Sequence, residues 1–358
     1  MNSPKRIPFL DTAKAISIIS VVLMHSLMND SNMLKVTHVN LVNWLNLYCV
    51  MVFFFINGFL YKDVTAKAPF KSALSKIKSY YLPYLKYNLF FFIFHDLFID
   101  CHFISGSKYF ISPKFFCLEF IQYLLGKVQS LGGPLWFLRA LIIISIIYLL
   151  CDSFSSRIFN GRLRYAINLV VSIVLLLAAI NGLIPGTFNA KEACRYIIFY
   201  TLGTIYRHYE LNKYVSRFAI LISIITFILT TVIANATNVG IKPSSNYLLF
   251  YIASLLATLQ IIAFSQIKYI SDFKPLVFLG KYTMQILALH FLAFKPVSFF
   301  IIKLYGLEIN YLSGIPVIKD ANISDLFFIP YTIAGITLPV IYTLFIQHIK
   351  KVYNRSQK

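Results

Sequence analysis

Long apolar runs separated by short polar and basic gaps make up most of this chain. Runs of spanning length occur at about 8–28, 41–61, 80–99, 134–151, 165–181, 193–209, 218–234, 246–267, 276–294 and 326–347. Each approaches the ~20 residues that a helix needs to cross the hydrocarbon core of a bilayer. The expected fold is therefore all-α, a polytopic integral membrane bundle of about ten transmembrane helices. A further apolar stretch, Phe115 to Gly126, is too short to span and is expected to lie at the interface or to pack re-entrantly. With no repeat and no soluble segment, the chain reads as a single transmembrane domain, 1–358, whose last residues, 348–358, form a short basic tail.

Composition excludes the soluble alternative. The 358 residues are 58% hydrophobic and 13% charged, with a mean hydropathy of +0.72. Soluble domains are nearer 45–50% apolar and about 25% charged, so too much apolar surface would be left in water. The net charge of +20 does not point to nucleic acid, because the basic residues lie in the gaps and form no patch interleaved with aromatic residues. Five scattered cysteines, Cys49, Cys101, Cys117, Cys151 and Cys194, make neither a metal site nor a disulfide framework. Lys5 and Arg6 before the first run resemble the start of a signal peptide. No small-x-small cleavage pattern follows, so this run is expected to stay as the first span.

The gaps carry their Lys and Arg unevenly. With the N-terminus inside, the inner gaps include Lys62, Lys67, Lys71, Lys76 and Lys78, then Arg157, Arg162 and Arg164, then Lys350, Lys351 and Arg355. The outer gaps hold fewer, so the positive-inside rule predicts that both ends are cytoplasmic in a multi-pass cell-membrane protein. Lys14, Lys86, Arg139 and Arg195 fall inside spans, as do Asp11, His25 and His290. An ionisable group at that depth costs ~2.5–3.5 kcal/mol on insertion scales, which makes each a candidate for function. Lys14 to His25 is three helical turns with about 20° left over, and Asp11 to His25 is about 40° short of four turns. All three share one face, with His25 ~16 Å beyond Lys14 toward the outer leaflet.

Arg6, Asp11 and His25, spaced R-x4-D-x13-H, resemble the opening signature of the acyltransferase-3 family of membrane acyltransferases. Three later segments are similar to that family in order. They are Val52-Phe-Phe-Phe-Ile-Asn-Gly58-Phe, with Asn57 where serine is usual; Gly133-Pro-Leu-Trp136-Phe-Leu-Arg139; and Leu279-Gly280-Lys-Tyr-Thr-Met-Gln-Ile-Leu-Ala-Leu-His290. Thr283 and Leu287 replace the usual serine and tyrosine of the last. The nearest group is that of fucose 4-O-acetylase-like and surface-polysaccharide O-acetyltransferases, which implies the bacterial inner membrane.

The resemblance implies transfer of acetyl from cytoplasmic acetyl-CoA to a hydroxyl of a surface polysaccharide, such as an O-antigen, or of its lipid-linked precursor, with no metal. Such chemistry needs a base for the acceptor proton, donors for the oxyanion and cations for the CoA phosphates. His25 is the expected base, since imidazole titrates near neutrality, with Arg139 and His290 converging on it in the outer half. Arg6, Asp11, Lys14, Asn57 and Lys86 are expected on the CoA side, Trp136 and Arg195 on the acceptor side. No serine or cysteine faces a histidine to signal a covalent relay, which favours direct attack. The competing class is a transporter or flippase for a glycolipid or small anion, whose polar residues would line a permeation route. Paired halves with matching discontinuous spans, the best pointer to a transporter, are not apparent.

Overall fold

The computed structural model describes residues 6–27, 35–36, 39–62, 66–237, 246–320 and 322–356. Helices account for nearly all of it. They are α1 (Pro8–Ser26), α2 (Met51–Phe59), α3 (Pro69–Ile93), α4 (Pro113–Leu124), α5 (Trp136–Ile158), α6 (Arg162–Ile180), α7 (Ala190–His208), α8 (Ala219–Thr237), α9 (Tyr247–Gln266), α10 (Thr283–Tyr305) and α11 (Phe328–Ser356). Shorter helices join them, and a two-residue antiparallel pairing links Lys35–Val36 to Val39–Asn40. The all-α membrane bundle is borne out.

Among the described residues seven helices are long and apolar enough to cross a membrane: α1, Leu41–Phe59, Ser130–Ile158, α6, α9, α10 and Asp325–Asn354. Leu211–Arg217 and Ala219–Asn235, meeting at 89°, add an eighth if taken as one span. The predicted spans at 80–99 and 193–209 form helices outside this count. α3 starts early, at Pro69 in its first turn, gathers Lys71, Lys76, Lys78 and Lys86, and stops at Phe94. α7 carries Lys191, Glu192, Arg195 and Arg207. The short run 115–126 is α4, capped by the Ser112 hydroxyl accepting from Phe115 N–H at 3.3 Å. It packs on α3 through Phe92, Phe116, Phe120 and Tyr123, a satellite of the main core.

Local chemistry explains several boundaries. Pro8 and Pro69 occupy first-turn positions, where a missing N–H costs nothing. Asn246 caps α9 by accepting from Leu249 N–H at 3.3 Å. α10 runs through Pro296 to Gly306, whose left-handed φ of 64° ends it. It thereby outlasts the predicted run, 276–294, by three turns.

α1 is the hub, packing against α2, α9, α10, α11 and the short helices Lys268–Ser271 and Lys274–Leu279. Two contacts set the directions of its partners. At its C-terminal end the Ser26 and Thr332 hydroxyls are 2.9 Å apart, so α11 starts where α1 ends and runs back beside it. Near its start a Cβ on Gly280 would stand 2.1 Å from the Asp11 carbonyl oxygen, so α10 rises parallel to α1. The first and last helices therefore point their outer ends to the same side of the bundle. His25 and His290 lie toward the other side.

Small residues let α2 and α7 touch backbone to backbone. A Cβ on Gly58 would meet Tyr200 O at 1.9 Å, and one on Gly203 would meet Phe55 O at 2.0 Å. Close approach through glycine is how helices associate where no hydrophobic drive separates them from lipid.

Candidate active site

α1 carries its ionisable residues along one stripe turned inward. Near its start Asp11 is buried at 7% exposure, with Arg6 Nη1 and Lys14 Nζ each 3.5 Å from a carboxylate oxygen. Arg6 stays largely in solvent, so a third polar ligand has access to the cluster from the side of the chain ends. Gly280 presses on the backbone of Asp11, which ties the R-x4-D segment to the Leu279-Gly280 segment.

About 21 Å further along α1, by helical rise, His25 faces His290 of α10. Their rings stack with centroids 5.4 Å apart and 28° between planes. Phe291 closes edge-on against both, 4.9 Å from His25 and 4.7 Å from His290. Phe294 backs His290 at 5.7 Å. Thus the imidazole of residue 25 points to the bundle interior and not to the acyl tails.

The protonation pattern of His290 follows from its contacts. Its Nδ1 lies 2.9 Å from Ile286 O and 3.0 Å from Leu287 O. Carbonyl oxygens only accept, so Nδ1 must carry the hydrogen. Nε2 then presents a bare lone pair, and it is buried without a hydrogen-bond partner. Nδ1 of His25 is likewise buried and unpartnered. A buried polar atom left unmatched costs about 1–3 kcal/mol, and a ligand that supplies the match recovers that cost.

The Gly133–Arg139 segment reaches this centre in part. A Cβ on Gly133 would stand 3.3 Å from Phe291 Cε2, which sets the start of the segment against the histidine pair. Arg139, two turns on, stands among other residues. Its guanidinium lies 5.9 Å from the Tyr84 ring and 5.7 Å from the Phe188 ring, with Nε buried and unpartnered. Gly126, at a φ of 109°, packs against both: a Cβ there would fall 2.9 Å from Arg139 Nη1 and 2.7 Å from Phe188 Cδ2. Phe188 and Asn189 hold left-handed φ values of 53° and 63°, unusual for consecutive non-glycine residues.

The remaining expected residues separate by place. Trp136, half-buried, sits 6.3 Å from the Tyr196 ring, and Arg195 on the same helix as Tyr196 keeps a buried, unpartnered Nε. Asn57 donates to Phe53 O at 2.8 Å and accepts from Tyr80 O–H at 2.9 Å, which fastens α2 to α3. Lys86 lies on the outer side of α3, lining a groove toward α10 and α11, apart from Arg6 and Lys14.

Two fully buried charges among the described residues were not singled out by sequence. Asp152, fully buried on α5, accepts from Tyr61 O–H at 2.7 Å, from Arg164 Nε at 2.7 Å and Nη2 at 2.5 Å, and from Asn168 Nδ2 at 2.8 Å. Lys295, also fully buried, donates to Leu312 O at 2.7 Å and Gly314 O at 2.9 Å, pinning the segment after α10 to that helix. Its place just past a predicted span end made Lys295 look like a loop cation. Among the described residues no group of three or more His, Cys, Asp or Glu side chains gathers as a metal site.

A helical membrane bundle that stacks two buried imidazoles in its interior holds a candidate intramembrane site. The model of a protein family described as an acyltransferase domain matches residues 7–346, nearly the whole chain. The chain belongs to that family, acyltransferase-3, and is a multi-pass membrane acyltransferase. Neither a curated protein nor a solved structure matches it.

Proposed function

We propose that this acyltransferase moves acetyl from acetyl-CoA, bound from the cytoplasmic side of the chain ends, to a hydroxyl of a cell-surface polysaccharide or its lipid-linked precursor. The observation that carries the reading is the stacked pair His25 and His290, each with an unpartnered, buried ring nitrogen. His25 acts as general base. It takes the acceptor hydroxyl proton as the oxygen attacks the acetyl carbonyl, and the C–O bond forms. The C–S bond then breaks, and the proton passes from the imidazolium to the leaving thiolate. His290, with Nδ1–H held by two carbonyls, keeps its Nε2 lone pair aimed at the same space.

The excess of Lys and Arg on the side of the chain ends supports a cytoplasmic location for both termini. CoA phosphates find Arg6 and Lys14 at that mouth. Asp11 holds both cations in place by ion pairs. Arg139 and Arg195, with unpartnered Nε groups on the far side, offer donors to the acceptor, with Trp136 as an apolar face beside them.

Purified protein in lipid, given acetyl-labelled CoA and a glycan acceptor, tests the reading. Label reaching the glycan supports it. Label that stays on CoA across neutral and acidic glycans alike contradicts it.

A further inference from the structure

We propose that the groove between α3 and α11 binds an anionic glycerophospholipid, its phosphate between Lys86 and Lys350 and an acyl chain along Phe90, Leu292 and Pro296. The groove is a cavity of about 460 Å³ on the outside of the bundle, floored by α10. It belongs to no part of the acetyl-transfer site. On α10 its residues, such as Gln285, Leu289 and Pro296, lie on a different face from His290.

Three features select the ligand. The lining holds two lysines, two glutamines and no carboxylate, so its cations lack an internal counter-charge. A cation at bilayer depth is costly unless an anion meets it or it reaches the headgroups. α3 and α11 run in opposite directions, and helical side chains lean toward the N-terminus of their own helix. Lys86 therefore leans toward the chain ends and Lys350 away from them. Both lysines line the same groove, together with Gln347 one turn before Lys350.

The upper groove is apolar. From Gln285 to Pro296 it follows α10 for ~16 Å by helical rise, close to the ~15 Å of one leaflet of a ~30 Å hydrocarbon core. That length suits the chain of an ordinary membrane phospholipid in the leaflet of the chain ends, and is too short to house a long polyisoprenoid. Of the three in-helix prolines of these helices, Pro296 and Pro339 border the groove and Pro83 of α3 does not. Proline kinks a helix and leaves a carbonyl unpaired, which opens space at such a place.

Native mass spectrometry of the delipidated full chain, titrated with phosphatidylglycerol or phosphatidylcholine, tests this. Phosphatidylglycerol is expected to bind more tightly, with the Lys86→Gln and Lys350→Gln changes each weakening it about fivefold. The paired change Lys86→Arg and Lys350→Arg should retain binding, which separates lost charge from lost fold. Leu338→Trp, filling the groove from α11, should weaken both lipids. Equal binding of the two lipids, or unchanged binding in the glutamine variants, would overturn the proposal. So would tighter binding of a polyprenyl phosphate than of phosphatidylglycerol.

Discussion

Gly280 and Asp11 touch backbone to backbone: a Cβ on the glycine would lie 2.1 Å from the Asp11 carbonyl oxygen. Three residues after Gly280, α10 begins and carries His290 up to His25. The spacing of the histidine pair therefore depends on a contact near the opposite side of the bundle. Gly280→Ala is expected to push α10 off α1. We predict a fall in acyl transfer of at least tenfold and an overpacking cost of about 1–3 kcal/mol in stability. Parallel measurement of turnover and thermal unfolding in lipid checks it, and full activity in a folded Gly280→Ala protein refutes it.

The α2–α7 crossing makes a second prediction of the same kind, without a catalytic readout. Gly58→Ala and Gly203→Ala each place a methyl within 2.0 Å of a backbone oxygen. Both should lower the unfolding temperature, each by about 1–3 kcal/mol in free energy. Because both relieve the same contact, the double variant should cost less than the sum of the singles. Strict additivity would show that the two glycines act apart.

Asp152 is the hub of a buried network joining α5, α6 and the end of α2 through Arg164, Asn168 and Tyr61. Asp152→Ala takes the carboxylate away from the Arg164 guanidinium, a change that costs about 3–5 kcal/mol where a buried pair is broken. The measurement is the yield of monodisperse protein and its unfolding temperature. Asp152→Asn, which keeps the volume, should fall between wild type and alanine.

Lys295 should govern the order of the segment that follows α10. Lys295→Met preserves length and removes both bonds to Leu312 O and Gly314 O. Hydrogen exchange at residues 309–318 is expected to quicken by tenfold or more, since two charge-assisted bonds are worth about 1.5–3 kcal/mol each. Exchange that stays at the wild-type rate would mean that the buried apolar residues Leu312, Val317 and Ile318 hold this segment unaided.

Much of this was legible in the sequence, for identifiable reasons. Apolar run length located the helices because lipid demands it. The stripe of Asp11, Lys14 and His25 followed from helical periodicity alone, and the structure turns it inward as expected. Arg6 and Lys14 pair with Asp11, as the spacing suggested. Sequence could not resolve whether Arg139 meets the histidines, because depth along a helix leaves azimuth open; its guanidinium instead lies between Tyr84 and Phe188. Charge dilutes the apolar signal of α3 and α7, so their ends and span status were read less well. Asp152 sat unmarked near a span end, since only its partners from other helices identify it. Lys86, expected on the CoA side, lines a lateral groove, a placement that only tertiary packing reveals.

The most direct test of the histidine pair is a double-mutant cycle on acyl transfer with His25→Ala, His290→Ala and both together. If the two imidazoles handle one proton as a unit, each single change should cost about 10²–10⁴-fold in turnover, and the double little more than the worse single. Turnover within a few-fold of wild type in either folded single variant would contradict the account.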